Sequence, residues 1–273
     1  MIAFPNAKIN LGLQVTERRP DGYHNLETLF YPVPLADILE VVPGNSFQFK
    51  ATGLELDAEP GKNLAVRAYD LLRKEFDLPP VRIHLHKVIP FGAGLGGGSA
   101  DAAFMLNMVN ELFSLRLTTD RLKAFAARIG ADCPFFIENR PAFASGTGHI
   151  LSPANIDLSA YHLVIAKPPY GVSTAEAYRS ITPRKPETPL TEILSRPADE
   201  WKEFLSNDFE DPVFRLYPGI RDLKEQFYRS GAVYASMSGS GSAVFGLFRE
   251  RIPDLTEFSG EGLFVYQNRL GIL

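Results

Sequence analysis

Polar and apolar residues alternate along the start of the chain. Ile9, Leu11, Leu13 and Val15 fall on one side, Lys8, Asn10, Gly12 and Gln14 on the other. A period of two predicts a half-buried strand whose polar face carries Lys8 and Asn10 together. Pro20-Asp21-Gly22 signals a turn, with Tyr23 and His24 directly after it. Apolar, β-favouring stretches predict further strands over residues 29–33, 38–42, 47–49 and 81–89. Between the last two the period changes. Leu64, Ala68, Leu71, Leu72 and Phe76 line one side of a helix, with Asn63 placed as its cap. Ala102, Leu106, Val109 and Phe113 mark a second helix from about Ser99 to Phe113. Leu122, Phe125, Ala126 and Ile129 mark a third, running from Thr119 towards Ile129, where Gly130 is placed to end it.

The second half repeats this mixture. A strand over 161–166 runs into Lys167-Pro168-Pro169, and Ser173-Thr174-Ala175-Glu176 is a capping box opening a short helix through Tyr178. Four prolines between residues 182 and 197 predict a loop-rich segment. Ile220, Leu223 and Phe227 mark a helix closed by Gly231, and a strand follows over 243–248. Gly146-Thr147-Gly148 and Ser152-Pro153 suggest a soft boundary, dividing the chain into domains over 1–151 and 152–273.

Composition removes whole classes of function. With 45% hydrophobic and 22% charged residues in 273, the chain is ordinary globular material able to bury two modest cores. A net charge of −4 offers no electrostatic footprint for nucleic acid. One cysteine, Cys133, excludes an internal disulfide framework and fits a reducing cytoplasm. No apolar run approaches the roughly 18 residues of a membrane span, and the N-terminus lacks the basic-then-apolar pattern of a signal peptide. The expectation is a cytoplasmic protein that acts on a small molecule, without nucleic acid or membrane as a partner.

The candidate chemistry lies between the 81–89 strand and the second helix. Five glycines, Gly92, Gly94, Gly96, Gly97 and Gly98, occupy seven positions there. Strand, glycine loop and helix N-terminus together make an anion site, because unpaired N–H groups and the positive helix end converge. Gly92-x-Gly94-x-x-Gly97 fits the dinucleotide fingerprint in spacing only. The loop follows several apparently antiparallel strands, Pro90 intrudes, and no strand ending in an acid lies about 20 residues on. The only Gly-Lys, Gly61-Lys62, is followed by Asn63, so no Walker-type loop is present. A glycine-rich turn serving tight strand–helix packing alone remains the plain alternative.

Pro90-Phe91-Gly92-Ala93-Gly94-Leu95-Gly96-Gly97-Gly98-Ser99-Ala100 resembles the phosphate loop of the GHMP kinases, the superfamily of galactokinase and of the homoserine, mevalonate and phosphomevalonate kinases. Ala7-Lys8-Ile9-Asn10-Leu11 resembles that superfamily's first motif, and Ser236-Met237-Ser238-Gly239-Ser240-Gly241-Ser242 its third. Asp21-Gly22-Tyr23-His24 and Gly130-Ala131-Asp132-Cys133-Pro134 narrow the resemblance to the branch whose substrate is a cytidine diphosphate-linked methylerythritol, an isoprenoid precursor of the non-mevalonate route.

The resemblance implies an α+β fold of two domains, the first ribosomal-protein-S5-like and the second ferredoxin-like, with the active site in a cleft between them. It implies ATP as phosphoryl donor, with Mg²⁺. Backbone N–H groups from Gly94 to Ser99 would cradle the phosphates, Ser99 adding its hydroxyl, with Ser238 and Gly239 as a second wall and Asn63 near the adenine. Asp132 would take the proton of the substrate hydroxyl, and Lys8 would hold that carboxylate ionised and offset developing charge. Asn10 falls near the substrate hydroxyls. Tyr23, His24 and Tyr178 fall at the cytidine end, the cytosine hydrogen-bonded by His24 and lodged between His24 and Tyr178.

Plainer readings stand beside these roles. Asp132 and Asn63 sit where helix caps belong, and Lys8 on a strand is compatible with a solvated edge. His84-x-His86 puts two imidazoles on one side of a strand without a Cys or acid at ligand spacing, which reads as an exposed strand face rather than a metal site. Cys133 has no adjacent base and reads as packing. Another small-alcohol kinase of the superfamily, or a non-catalytic ligand-binding member, remains open at this point.

Overall fold

In the computed structural model, residues 1–55, 59–249, 254, 256 and 258–271 are described. They divide into two compact units assembled from non-consecutive pieces. The first holds Met1–Ala7, Leu35–Pro90 and Gly96–Arg140; the second holds Lys8–Pro34, Phe91–Leu95 and Pro141–Leu273.

The first unit is a four-stranded sheet covered by helices. Its strands lie in the order Ile2–Ala3, Ile38–Pro43, Val81–Lys87, Gln48–Gly53. The first two neighbouring pairs are antiparallel, whereas Gln48–Gly53 runs parallel to Val81–Lys87. A parallel neighbour needs a crossover, and the helix Leu64–Phe76 lies within that connection. Strict alternation in Val81–Lys87 buries Val81, Ile83 and Leu85 against Tyr69 and Leu72 of that helix and Met105, Leu106 and Val109 of the next. Asn63 caps the first helix, its Oδ1 accepting from the N–H groups of Ala65 at 2.9 Å and Val66 at 3.4 Å. The glycine-loop helix is Gly97–Leu112, two residues longer at its start than periodicity predicts. Its apolar stripe begins only at Ala102, so the pattern does not register Gly97 and Gly98 as helical. Thr118 caps Thr119–Ala127, which stops short of Ile129.

The second unit contains most of the two long strands Asn6–Arg18 and His24–Ala36, followed in their sheet by Ala142–Ser145 and Ile150–Pro153. The last two form an antiparallel hairpin with Gly146-Thr147-Gly148 at its turn, in the stretch where glycine content suggested a boundary. A second, all-antiparallel sheet has the order Tyr234–Met237, Val244–Phe248, His162–Lys167, Phe264–Arg269. Val164, Ala166, Val244 and Phe248 pack with Ile220, Leu223 and Phe227 of the helix Pro218–Arg229. Gly231, at φ +94°, ends that helix as expected.

Two expectations are corrected. The strand carrying Lys8 and Asn10 is not half-buried: every residue from Asn6 to Val15 is buried, polar side included. The polar face faces partners rather than water. The proline-rich segment also holds a helix, Leu190–Leu194, with Leu190, Ile193 and Leu194 buried. Its prolines flank the turn instead of breaking it, Pro189 standing just before the first helical residue, where a missing N–H costs nothing.

Candidate active site

Three parts of the second unit meet at the tip of the glycine loop. Lys8 is 3% exposed, and its Nζ donates to Asn10 Oδ1 at 2.6 Å and to the Gly94 carbonyl at 2.9 Å, 5.0 Å from the centre of the Phe30 ring. The Lys8 N–H bonds the Leu95 carbonyl at 2.9 Å. Asn10 is fixed in turn, its Nδ2 donating to Thr28 Oγ1 at 3.0 Å, while the Thr28 hydroxyl donates to the Gly12 carbonyl at 2.5 Å. The Ser238 hydroxyl donates to the same Gly94 carbonyl at 2.9 Å and lies 3.4 Å from Asn10 Oδ1. The N–H groups of Ser242 and Ala243 bond the carbonyls of Gly92 at 3.2 Å and Ala93 at 3.1 Å. Gly94 has φ +74°, and a Cβ there would lie 1.8 Å from the Ser238 carbonyl oxygen, so only glycine fits. Asn207 supports this wall from behind, donating to the carbonyls of Met237 and Gly239, both at 2.8 Å.

An ammonium held this way is desolvated and immobile. Its acceptors in this unit include a carbonyl and an amide oxygen, which place its positive charge at the loop tip. Phe30, Thr28 and Asn207 belong to the arrangement and carry no sequence signal: each is an unremarkable residue in an apolar run or turn.

The exit of the loop belongs to the first unit. Gly96 takes φ +72° as the residue before the helix, and the Ala100 N–H makes the first intrahelical bond, to the Gly96 carbonyl at 2.9 Å. The N–H groups of Gly97, Gly98 and Ser99 therefore precede any intrahelical acceptor, at the positive end of a 16-residue helix. Pro90 and Phe91 complete the approach, Phe91 being 43% exposed. Asp132 precedes the short helix Cys133–Glu138, and its carboxylate does not cap that helix. A plain capping role does not account for it. Lys8 lies in the second unit and Asp132 in the first. Burial pushes the Cys133 thiol up to about 11, which suits packing and not a nucleophile.

The turn after Pro20 is held by Asp21, which pairs with Arg19 at 2.8 Å and accepts the Tyr23 N–H at 3.1 Å. It presents Tyr23, 67% exposed, and His24. The rings of His24 and Tyr178 stack with centroids 5.0 Å apart and planes within 19°, and Phe209 meets Tyr178 edge-on at 4.8 Å. Two of the residues expected at the cytidine end, His24 and Tyr178, therefore touch each other. A ring inserted between two others needs about 7 Å, twice the contact distance, so the two rings at 5.0 Å leave no room for a third between them in this conformation. Desolvation, and secondarily Arg18, lowers the His24 pKa, leaving a neutral imidazole at neutral pH with one donor and one acceptor nitrogen. His84 and His86 each bond Thr52 Oγ1 at 2.9 Å across the sheet. Among the described residues no group of three or more His, Cys, Asp or Glu is arranged to hold a metal ion.

A glycine loop stitched to a buried lysine strand and a Ser-Gly-Ser-Gly wall is the arrangement of a class. The family model described as "GHMP kinases N terminal domain" matches residues 63–140, and "GHMP kinases C terminal" matches 190–256. The chain belongs to the GHMP kinase family. Within it, the chain is 54% identical over 274 residues to 4-diphosphocytidyl-2-C-methyl-D-erythritol kinase of Bacteroides fragilis, covering 99% of this chain and 100% of the relative. A crystal structure of 4-(cytidine 5'-diphospho)-2C-methyl-D-erythritol kinase matches with a TM-score of 0.79 at 39% identity, covering 90% of each chain. Mevalonate kinase of Methanococcus jannaschii, 13% identical, has the same fold with a TM-score of 0.72 over 98% of this chain and 97% of that one.

Proposed function

We propose that this protein transfers the γ-phosphoryl group of ATP to the 2-hydroxyl of 4-diphosphocytidyl-2-C-methyl-D-erythritol, a step in non-mevalonate isoprenoid precursor synthesis. The observation that carries the substrate is the His24–Tyr178 stack beside exposed Tyr23, in the unit that also holds Lys8 and the loop tip. A kinase for a small branched alcohol has no use for a flat aromatic platform; one whose alcohol is tethered to cytosine does.

Phosphoryl transfer asks mainly for positioning and charge stabilisation. We assign the phosphates to the backbone N–H groups between Gly94 and Ser99 and to Ser238 and Gly239, with the adenine towards Asn63. Mg²⁺ enters on the triphosphate, which with water supplies most of the ligands this ion requires. Lys8 meets the charge that spreads over the transferring group. Asp132 accepts the proton of the attacking hydroxyl, and Asn10 orients the hydroxyls. The reaction takes place in cytoplasm on a soluble substrate.

The test is ATP consumption with the cytidine diphosphate-linked alcohol, mevalonate and homoserine in parallel. Turnover confined to the first is the expected result. Turnover on mevalonate or homoserine alone would exclude the cytidine reading, and no turnover on any would favour a non-catalytic member.

A further inference from the structure

Three ionisable side chains are buried together under the exit of the glycine loop, and the chemistry above uses none of them. Lys87, at the end of the strand entering the loop, pairs with Asp37 and, at 2.8 Å, with Asp101, the side chains of all three being 3% exposed or less. Asp37 Oδ1 also accepts the N–H groups of Val88 at 2.6 Å and Ile89 at 2.9 Å, the last two residues before Pro90. Asp101 lies one turn into the helix that leaves the loop, and its Oδ1 is buried without a hydrogen-bond partner. Gly97 closes the same packing. A Cβ there would lie 2.8 Å from Ile89 Cγ2 and 3.4 Å from Lys87 Nζ.

One ammonium between two carboxyls in a dry site is an expensive way to join a strand to a helix. An apolar contact of equal volume would be cheaper. What ions add over apolar contacts is a fixed distance and direction. Here they fix both stems: Asp37 holds the chain going in, and Lys87 reaches through to Asp101 on the chain coming out. The residues between are left as a closed loop with its ends pinned, which lowers the ordering cost of bringing backbone N–H groups to an anion.

We propose that Asp37, Lys87 and Asp101 are positioning residues for the nucleotide, a buried clamp that holds the two stems of the phosphate loop at the separation ATP binding requires. This rests on the glycine loop being the ATP site, which wild-type ATP turnover tests independently of the variants. Asp101→Leu keeps the side chain's branching at Cγ and removes the tie to Lys87. The expected result is folded protein whose KM for ATP rises tenfold or more, with kcat within about threefold and the KM for the second substrate within twofold. Asp101→Asn, which retains an oxygen for Lys87, should stay within about threefold of wild type in ATP KM. If Asp101→Leu does not fold, the double variant Lys87→Met/Asp101→Leu, which replaces both ends of the strand-to-helix tie by apolar groups and leaves Asp37 on the N–H groups of Val88 and Ile89, carries the same expectation. An unchanged ATP KM in the folded Leu variant, or an equal loss of affinity for both substrates, overturns the proposal and leaves the cluster a structural one.

Discussion

Two lysines are buried at the foot of the glycine loop, and they are buried in opposite ways. Lys87 stands between two carboxyls in the first unit, so its charge is spent within the protein. Lys8, in the second, is held by a carbonyl, an amide oxygen and the face of a ring. Those contacts fix the ammonium at the tip of the loop. We read the first as a charge used for building and the second as one placed at the loop tip for chemistry, and the two readings make different demands when each lysine is removed.

The largest effect expected is on turnover. Lys8→Met and Asp132→Asn should each lower kcat by about 10²–10⁴-fold, the usual range for loss of a group acting on the proton or charge of the transition state. Nucleotide binding to Asp132→Asn, measured by titration, should stay near wild type. The Lys8 variant should also keep its unfolding midpoint within a few degrees, because Gly94 O retains the Ser238 hydroxyl as donor and Asn10 Oδ1 keeps it 3.4 Å away. A Lys8→Met protein that unfolds readily would place Lys8 with Lys87 as a structural ion and dissolve the contrast.

Lys87→Met should do the reverse. It leaves Asp37 and Asp101 buried with no ammonium between them, and breaking such a cluster costs about 3–5 kcal/mol. Urea unfolding at neutral pH measures this directly. A loss below about 1 kcal/mol would mean that the two carboxyls relax without their cation and that the clamp is not rigid.

How these lysines read in the sequence follows from their surroundings. Lys8 was visible because it lies in an alternating strand and in a motif that resembles a kinase family. Its burial was not visible, since alternation says which residues share a face but not whether that face meets water or protein. Lys87 closes a strand that reads Val-Arg-Ile-His-Leu-His-Lys, where a terminal lysine looks like any solvated strand end. Its partners Asp37 and Asp101 are 50 and 14 residues away, distances no local pattern spans. The glycine loop itself was legible because five glycines in seven positions are costly unless backbone must approach something closely. The helix Glu210–Leu216 and the strand Phe264–Arg269 were not, being short elements with little periodicity of their own.

The aromatic platform gives a smaller effect that sharpens the substrate assignment. Tyr178→Ala removes one ring of the His24 stack and should raise the KM for the cytidine-linked substrate by about 10–100-fold, stacking being worth roughly 1–3 kcal/mol per base. The KM for ATP should not follow. Equal changes in both would show that Tyr178 supports the unit through Phe209 and does not meet the base.

The most gradual effect lies in the pH dependence of stability. Burial, opposed by Lys87 and reinforced by Asp37, pushes the Asp101 carboxyl up to about 7. An unfolded aspartate titrates near 3.9. Between roughly pH 4 and 7 the folded protein therefore binds more of this proton than the unfolded chain does. The contribution of Asp101 is most favourable below about pH 4 and declines as pH rises to about 7, at no more than about 1.4 kcal/mol per pH unit. Asp101→Asn removes that titration and leaves the other groups in place. The stability of the Asn variant relative to wild type should thus climb from pH 5 to pH 7 and level off above it, read from urea midpoints at each pH. A constant difference across that range would mean that Lys87 keeps Asp101 ionised throughout, so that both carboxyls of the clamp carry charge and the second buried lysine is over-compensated, which would make its contrast with Lys8 sharper still.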